Sequence, residues 1–459
     1  MRFRKMTNSG SIARRRRRTY TIGAATLAVS QFAVGGASAA VLPRAASKSI
    51  TLTVQAFSNN IETLFVQPAI KAFEADHPSI HVQVDIITNA FDRGPNVSVL
   101  TSSSPPDVGF IQRGTGEFVT LMKDNAIIPI DGVAKQDNFQ SDMNATAKEL
   151  YSLNGNWYGV GDGGTFLALA YYNKDAFRKA HIAVPSSHII NTNAQLYAMV
   201  AKLKSAGYEG LGEGGQGTYE LGNIVDYLLP TATTPSQFHN YLTNYMPRVP
   251  LTASYATGPF LRVLQTLDAW EQHGVFPPGV VGTSDAAAQA AFAAGRTAMY
   301  DSGSWVAGEL PSFHLSFPVG WLLLPPVVPG RAKMVFYSGD MWIIPRNAPH
   351  VAAAKAFLQE LGSERWQQSS VLQAGSIPDS TAVPVADVHK WLPVLDSEMI
   401  AESKALGVAA SAWDISIAQN MRQAFEIPLL QKLLDGTLTP QEVAETYQRQ
   451  LLRDRSTSQ

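Results

Sequence analysis

The chain has 459 residues, of which 16% are charged and none is cysteine, and its formal net charge is −1. This length provides for two or three domains, and the composition is that of a folded globular protein, which excludes a disordered or fibrous chain. The lack of cysteine excludes thiolate catalysis and cysteine-ligated zinc.

Residues 1–39 have the pattern of a signal peptide. Five arginines at 14–18 precede a short apolar run, and Ala37, Ser38 and Ala39 supply a small-residue cleavage site. Arg17 and Arg18, followed by Thr and Tyr, resemble a twin-arginine export signal, while the general secretory route stays open. The segment therefore predicts export by one of these two routes.

The remainder of the chain is acidic. Residues 1–39 hold eight of the 36 basic residues and none of the 37 acidic ones, which leaves a net charge near −9 on the rest. Nucleic-acid binding needs a basic stripe, so we expect no nucleic-acid partner.

The expected location is outside the cytoplasm. The apolar run of the signal is too short for a comfortable membrane span, and no later window reaches about 18 apolar residues. No cysteine is present for lipid attachment. We expect the protein in the periplasm or at the extracellular face of the cell membrane, with the N-terminal segment either cleaved or kept as an anchor.

The first part of the mature chain predicts an α/β lobe with a mostly parallel sheet, because strand and helix patterns alternate. Residues 49–56 and 80–86 alternate between apolar and polar side chains, and Pro78 ends the helix between them. A loop at 102–106, a short buried strand at 107–111 and a helix at 116–125 follow.

The middle and the end of the chain are mostly helical in pattern. Residues 148–173 predict a hairpin that turns at Asn154–Gly155. Strands are predicted at 319–324 and 341–344, with a stiff proline-rich connection at 325–330 between them. Helices are predicted at 194–206, 221–229, 260–273, 286–294, 352–361, 365–373, 418–434 and 440–451.

Motifs for catalysis or for a cofactor are weak. The glycines at 210–215 satisfy G-x-G-x-x-G, but a predicted helix precedes them, whereas dinucleotide binding requires a strand there. Tyr171 and Tyr172 are explained better by packing in a strand than by iron binding. We expect no catalytic residue, no metal and no cofactor. Two facing carboxylates could still come from Asp162, Asp301 and Asp340, so a glycosidase stays open.

Polar side chains and aromatic rings cluster where predicted strands end. In open α/β sheets such positions lie at the ligand crevice. A sugar ring stacks its C–H face on an indole, and its hydroxyl groups bond to short polar and charged side chains. Each cluster alone is also explained by a turn or a core tryptophan. The candidate ligand-binding residues are Ser58, Asn59, Asn60, Gln112, Arg113, Thr115, Asp162, Trp305, Asp340, Met341, Trp342 and Trp413.

Several stretches resemble a known family when they are taken together in order. They are FEADHPSIHV at 73–82, PDV at 106–108, LAYYNKDAF at 169–177, FAAGRTAM at 292–299 with GSW at 303–305, AAKAFL at 353–358, and TLTPQEV at 437–443. In this order they resemble the extracellular solute-binding proteins of ABC importers, in the sugar-binding branch that includes maltodextrin-binding proteins.

The resemblance implies an α/β fold of two lobes, joined by a hinge and closing on a ligand cleft between them. Lobe one would be 48–168 plus 334–385, and lobe two 169–333 plus 386–459. A monomer would capture a mono- or oligosaccharide and deliver it to a membrane permease without chemical conversion. Trp305 would stack a sugar ring. The alternatives are a receptor for another solute, such as a polyamine, a peptide or ferric iron, and an exported glycosidase.

Overall fold

The computed structural model describes most of the chain after residue 48. Residues 48–459 form one compact unit, and the export segment predicted at 1–39 lies outside the described residues. None of the helices that are described is long and apolar enough to cross a membrane. The described residues are 49–56, 66–87, 93–112, 116–135, 143, 148, 151–153, 155–161, 164–216, 220–245, 249–337, 340–363, 366, 377–378, 398–399, 401–402, 408–409, 413, 417, 421 and 425–457.

The strands of this part of the chain form four sheets. They are β1 (Ile50–Ala56), β2 (Ile80–Ile86), β3 (Gly109–Gln112), β4 (Ser152–Leu153), β5 (Asn156–Trp157), β6 (Gly159–Gly161), β7 (Gly164–Asn173), β8 (Glu209–Gly212), β9 (Thr297–Gly303), β10 (Val319–Leu322), β11 (Met334–Tyr337), β12 (Asp340–Ile343), β13 (Ile377–Pro378) and β14 (Val408–Ala409).

The helices agree closely with the periodic segments of the sequence. They are α1 (Gln67–Asp76), α2 (Arg93–Leu100), α3 (Gly116–Lys123), α4 (Asp131–Ala134), α5 (Lys174–Lys179), α6 (Asn193–Ser205), α7 (Glu220–Ala232), α8 (Pro235–Thr243), α9 (Pro259–Gln272), α10 (Asp285–Ala293), α11 (Val351–Leu361), α12 (Ile427–Leu434) and α13 (Pro440–Thr457). The predicted helix at 365–373 lies almost wholly outside the described residues.

The first sheets follow the predicted alternation. β1 and β2 pair in parallel, with Ile50 opposite Ile80, and α1 connects them with Phe73 buried. β12 returns from late in the chain and pairs antiparallel with both β3 and β6. The predicted hairpin is also present, because β4 and β5 are antiparallel.

The largest sheet is not mostly parallel. β7 pairs antiparallel with β9, β10, β11 and β13, and only β8 with β9 and β11 with β14 are parallel pairs. The long strand β7 lies in the middle of this sheet and pairs with strands from distant parts of the chain. The prediction of a mostly parallel sheet, made for the first part of the chain, holds for β1 with β2 but not for β3, β12 and β6, which pair antiparallel, and it does not extend to the largest sheet.

Two hydrophobic cores form. One is built from residues of the first part of the chain together with β12 and α11, and it includes Leu52, Phe110 and Trp342. The other extends from β7 to α13 and includes Trp270 and Trp321. Both Tyr171 and Tyr172 are buried in this second core, as expected for packing. The lobe bounds given above stay predictions.

Backbone packing accounts for the glycines at 210–215. Gly210 and Gly212 lie in β8, so a strand does come before the loop, contrary to the sequence prediction. A Cβ on Gly210 would lie 2.3 Å from the carbonyl oxygen of Val275, and one on Gly215 would lie 2.5 Å from that of Val280. These positions need glycine because another backbone approaches them closely.

Candidate functional site

Half of the sequence-predicted ligand residues lie outside the described residues. These are Ser58, Asn59, Asn60, Arg113, Thr115 and Asp162. Gln112 and Asp340 face each other as register partners where β3 and β12 pair, although their side chains are not described. Two segments that are distant in sequence are thus neighbours at this sheet edge, and a ligand role for these eight residues stays a prediction.

Met341 and Trp342 lie inside the first core. Both side chains have no exposed surface. The indole N–H of Trp342 donates to the carbonyl oxygen of Gln55 at 2.9 Å, and its ring meets Phe110 and Trp366 edge-on at 5.2 and 5.8 Å. Because strand residues alternate between faces and both faces here are covered, neither side chain offers a surface to a solute. Their placement is that of core residues.

Trp413 has a similar placement in the second core. It is fully buried, and its indole N–H donates to the phenol oxygen of Tyr255 at 3.1 Å. Phe260 and Tyr447 pack against it at ring distances of 5.1 and 6.1 Å. This aromatic cluster holds α9 to α13, so the indole serves packing in this conformation.

Trp305 differs from both. It is partly exposed, and it packs against both hydrophobic cores. It lies in a short 3-10 helix, Ser304–Gly308, that follows β9 directly. An indole that touches both cores and keeps a solvent-exposed part is the expected arrangement for a ligand platform at the boundary of two lobes.

Gly303 provides the space for the Trp305 ring. A Cβ at Gly303 would lie 1.9 Å from Cζ3 of Trp305, so the ring covers the place where a side chain would be. Neighbouring hydrogen bonds fix this turn: the hydroxyl of Tyr171 donates to the carbonyl oxygen of Gly303, and the backbone N–H of Leu167 donates to the Ser304 hydroxyl, both at 3.0 Å. The glycine and serine of the Gly-Ser-Trp sequence therefore position the indole.

Carboxyl groups gather beside this platform. Asp301 lies on β9, and Glu213 follows β8. Burial raises the pKa of Asp301 to about 7, while its interaction with the side chain of Glu213 acts in the opposite direction. Burial raises the pKa of Glu213 well above its ordinary value, and the nearby Asp301, Glu220 and Asp285 raise it further. Both carboxyl groups of this facing pair therefore keep their protons to higher pH than exposed acids do.

Sequence reasoning missed most of this acidic group. From the sequence, Asp301 is a candidate only for a glycosidase acid, and Glu213, Glu220 and Asp285 are not indicated as site residues. Glu213 lies within the glycine motif, and this position was the available signal in the sequence. The close backbone packing of the glycines holds the carboxyl group in place. Tyr300 donates its hydroxyl to Asp285 at 2.8 Å, and burial raises the pKa of Asp285.

A small cavity adjoins Asp301. It measures about 10 Å³, which is room for about one water molecule. Asn223 and Tyr227, one turn apart on α7, form part of its wall, and Ser302 and Leu324 form another part. Tyr227 donates its hydroxyl to the carbonyl oxygen of Leu324. The cavity therefore presents polar groups on one side of β9.

Metal binding finds no support in the residues that the structure describes, because no group of three or more His, Cys, Asp or Glu side chains among them could hold an ion. Of the three acids considered for a glycosidase, only Asp301 has a described side chain. The arrangement that is present, an indole platform beside hydrogen-bonding carboxyl groups, is suited to holding a solute.

Curated relatives match most of the chain. An uncharacterised ABC transporter extracellular-binding protein of Pyrococcus horikoshii is 24% identical over 329 residues, which is 70% of each chain. A binding protein of Brucella abortus is 23% identical over 338 residues, covering 72% of this chain and 75% of the relative.

Solved structures with the same fold cover nearly the whole chain. A chitin oligosaccharide binding protein has a TM-score of 0.76 at 18% identity, over 89% of this chain and 99% of its own. The GacH receptor of Streptomyces glaucescens has a TM-score of 0.68 at 20% identity, over 88% and 99%. These likenesses confirm the predicted two-lobed α/β fold.

The family assignment comes from the sequence profile of bacterial extracellular solute-binding proteins, which matches residues 58–368. The match covers more than half of the chain and includes the elements from α1 to α11. The chain therefore belongs to the bacterial extracellular solute-binding protein family.

Proposed function

We propose that the protein is the solute-binding receptor of an ABC importer and that its solute is a carbohydrate. The observation that carries the proposal is Trp305, a partly exposed indole in contact with both cores. The flat C–H face of a sugar ring packs well on such an indole. Similar structures hold raffinose and maltose, and the Pyrococcus relative is named as part of an ABC transporter, which supports the same function.

The mechanism is capture without conversion. A solute on Trp305 would contact both lobes, so it would bind the closed arrangement more tightly than the open one and shift the population toward it. The closed form would then present both lobes together to a membrane permease. This role requires no catalytic residue and no cofactor.

Export and assembly form part of the same proposal. Residues 1–39 would direct the chain out of the cytoplasm, and the mature protein would act as a monomer in the periplasm or at the outer face of the membrane, without a lipid anchor. The net charge near −9 on the remainder of the chain supports a partner other than nucleic acid.

A thermal-shift screen of the exported chain, starting at Ala40, tests the solute class. A ligand present at a hundredfold excess over its Kd stabilises the folded state by about 2.7 kcal/mol, which raises the melting temperature visibly. The panel contains mono- and oligosaccharides, with polyamines and ferric citrate as controls. A shift with sugars supports the proposal, whereas a shift with a control alone, or turnover of a chromogenic glycoside, contradicts it.

Replacing Trp305 by alanine is expected to weaken binding of the sugar found in that screen by about 1–3 kcal/mol, or about 5- to 150-fold in Kd. The cause is the loss of the apolar face that the ring would cover. Isothermal titration calorimetry measures the change in Kd. Trp305→Phe keeps a smaller aromatic face, so its affinity is expected to lie between those of the unaltered protein and Trp305→Ala. Unchanged affinity in Trp305→Ala would remove the indole from the site.

Gly303→Ala tests the same platform without removing it. The new methyl group would occupy space that the Trp305 ring fills now, with Cζ3 only 1.9 Å away. The backbone at Gly303 is extended, with φ −145°, so alanine adopts it readily and the ring must move instead. We expect affinity to fall by about tenfold while the circular dichroism spectrum stays the same. Full affinity would show that the ring position does not matter.

A further inference from the structure

The Trp305 ring and the Asp301 side chain lie on one face of β9. Side chains at positions two apart in a strand point to the same side, so Asp301 and Gly303 share a face. The ring of Trp305 occupies the side-chain position of Gly303. A carboxyl group and an indole are thus about 7 Å apart along the strand, a spacing that follows from the rise per residue. One sugar ring is of similar width.

Among the described residues, no cation acts on the carboxyl groups of Asp301 and Glu213. Glu213 is 1% exposed, it faces Asp301, and neither of its oxygens accepts a hydrogen bond from a described residue. The charged groups that act on Glu213 are Asp301, Glu220 and Asp285, all acidic. Buried acids are normally paired with a cation or a donor. Here Glu213 meets another carboxyl group, that of Asp301, in place of a cation.

The adjoining cavity has the size of a single small group. Its volume of about 10 Å³ holds one water molecule, and a primary ammonium group is of the same size. The walls contributed by Asn223 and Ser302 add further polar groups. A ligand ring on Trp305 would therefore reach Asp301 with a substituent of this size and no larger.

We propose that Asp301, backed by Glu213, forms with Trp305 a subsite for an ammonium group, so that the captured carbohydrate bears a basic amino group. This inference rests on the proposed function. An ammonium group makes charge-assisted hydrogen bonds to a carboxylate and is attracted to the face of an indole, so both parts of the subsite favour it over a neutral hydroxyl group. An aliphatic polyamine carries the same group and would use the same contacts.

Paired probes separate the sources of the ammonium group. The exported chain is titrated by calorimetry with a glucosamine disaccharide, with its N-acetylated counterpart, and with spermidine. The two disaccharides share a backbone and differ in charge. We expect the free-amine disaccharide to bind about tenfold more tightly, the difference between a charge-assisted and a neutral hydrogen bond.

The variant Asp301→Asn is expected to abolish this preference. It should weaken binding of the free-amine disaccharide about tenfold and leave the N-acetylated one within about threefold, because the amide keeps an acceptor and loses the charge. A melting curve of the variant checks its folding. Asp435→Asn, the same change at an exposed carboxylate directly after α12, serves as the matched control and should keep the preference.

Proton release gives a second measurement that needs no variant. The groups that interact with Asp301 are Glu213 after β8 and Tyr227 on α7, while Glu220 on α7 and Asp285 on α10 act on Glu213. An ammonium group bound at about pH 6, where the amine of the ligand is already protonated, would shift Asp301 toward its ionised form, so the free-amine disaccharide should release protons on binding. Calorimetry in two buffers of different ionisation enthalpy measures this release, and the N-acetylated disaccharide should release none.

The outcomes are distinct. Tighter binding of the free amine, lost in Asp301→Asn and coupled to proton release, supports the inference. Equal binding of both disaccharides overturns the inference and leaves the carbohydrate receptor standing. Binding of spermidine alone supports the ammonium subsite and overturns the carbohydrate solute. If none of the probes binds, the ammonium subsite is overturned, and the wider sugar screen decides the proposed function separately.

Discussion

Replacing Trp342 by alanine is expected to lower the free energy of unfolding by about 4 kcal/mol. The ring has no exposed surface and packs edge-on against Phe110 and Trp366, so truncation leaves a cavity, and Trp-to-Ala changes in cores cost about 3–5 kcal/mol. The variant also removes the donor that the buried carbonyl group of Gln55 uses, which adds to the cost.

Chemical denaturation with a fluorescence or circular dichroism signal measures this loss. The comparison variant is Trp305→Ala, which removes the same ring from a partly exposed position and should lose affinity more than stability. Trp342→Phe keeps most of the apolar volume and should recover about half of the loss. A stability equal to that of the unaltered protein, with loss of sugar binding, would return Trp342 to the ligand site as the sequence had predicted.

The second large effect is a dependence of stability on pH that comes from Asp301 and Glu213. Burial raises the pKa of Asp301 to about 7, compared with about 3.9 in an unfolded chain, and the pKa of Glu213 is raised too. Between these values the folded state holds more protons than the unfolded state, so stability falls as pH rises. We expect Asp301 to contribute about 2–4 kcal/mol at about pH 4 that is lost by about pH 8.

A difference curve isolates this contribution from the other titrating groups. The exposed Asp435 and Glu442 act in the opposite sense, because Thr437 and Thr439 donate to their carboxylates and lower the pKa of each. Unfolding experiments on the unaltered chain and on Asp301→Asn, taken from about pH 4 to 8, should therefore show that the stability of the unaltered chain falls relative to that of the variant as pH rises, since the amide does not titrate. Parallel curves over the whole range would show that Asp301 has an ordinary pKa.

Local patterns were enough to predict most helices and strands. The alternation at 80–86 and the apolar faces of α1, α9 and α10 depend on neighbours within a few residues, and helix limits follow from nearby signals such as Ser284, which caps α10 by accepting from Ala287 at 3.2 Å. The short elements α5 and β8 were missed, because a few residues give too little periodicity to recognise.

The binding platform shows the limit of sequence reasoning. Trp305, Trp342 and Trp413 are all predicted as ligand residues, with the stacking role given to Trp305, and of these three the structure leaves only Trp305 partly exposed. The large apolar face of an indole suits it both to a hydrophobic core and to stacking on a sugar ring. The residue type alone therefore does not distinguish a core tryptophan from a ligand-binding one. What separates them is how many other segments cover the ring.

The sequence by itself predicted an export signal and most of the strands and helices, and it determined the family to which the chain belongs, because each of these depends on neighbouring residues or on the order of short motifs. Only the tertiary structure decided that Glu213 faces Asp301 and that the Trp305 ring covers Gly303 beside them. These groups come from β8 and β9, which are far apart in sequence and meet only through sheet pairing. The burial of these groups, and the pKa values that depend on it, arise only when the two strands pair, so neither segment alone determines them.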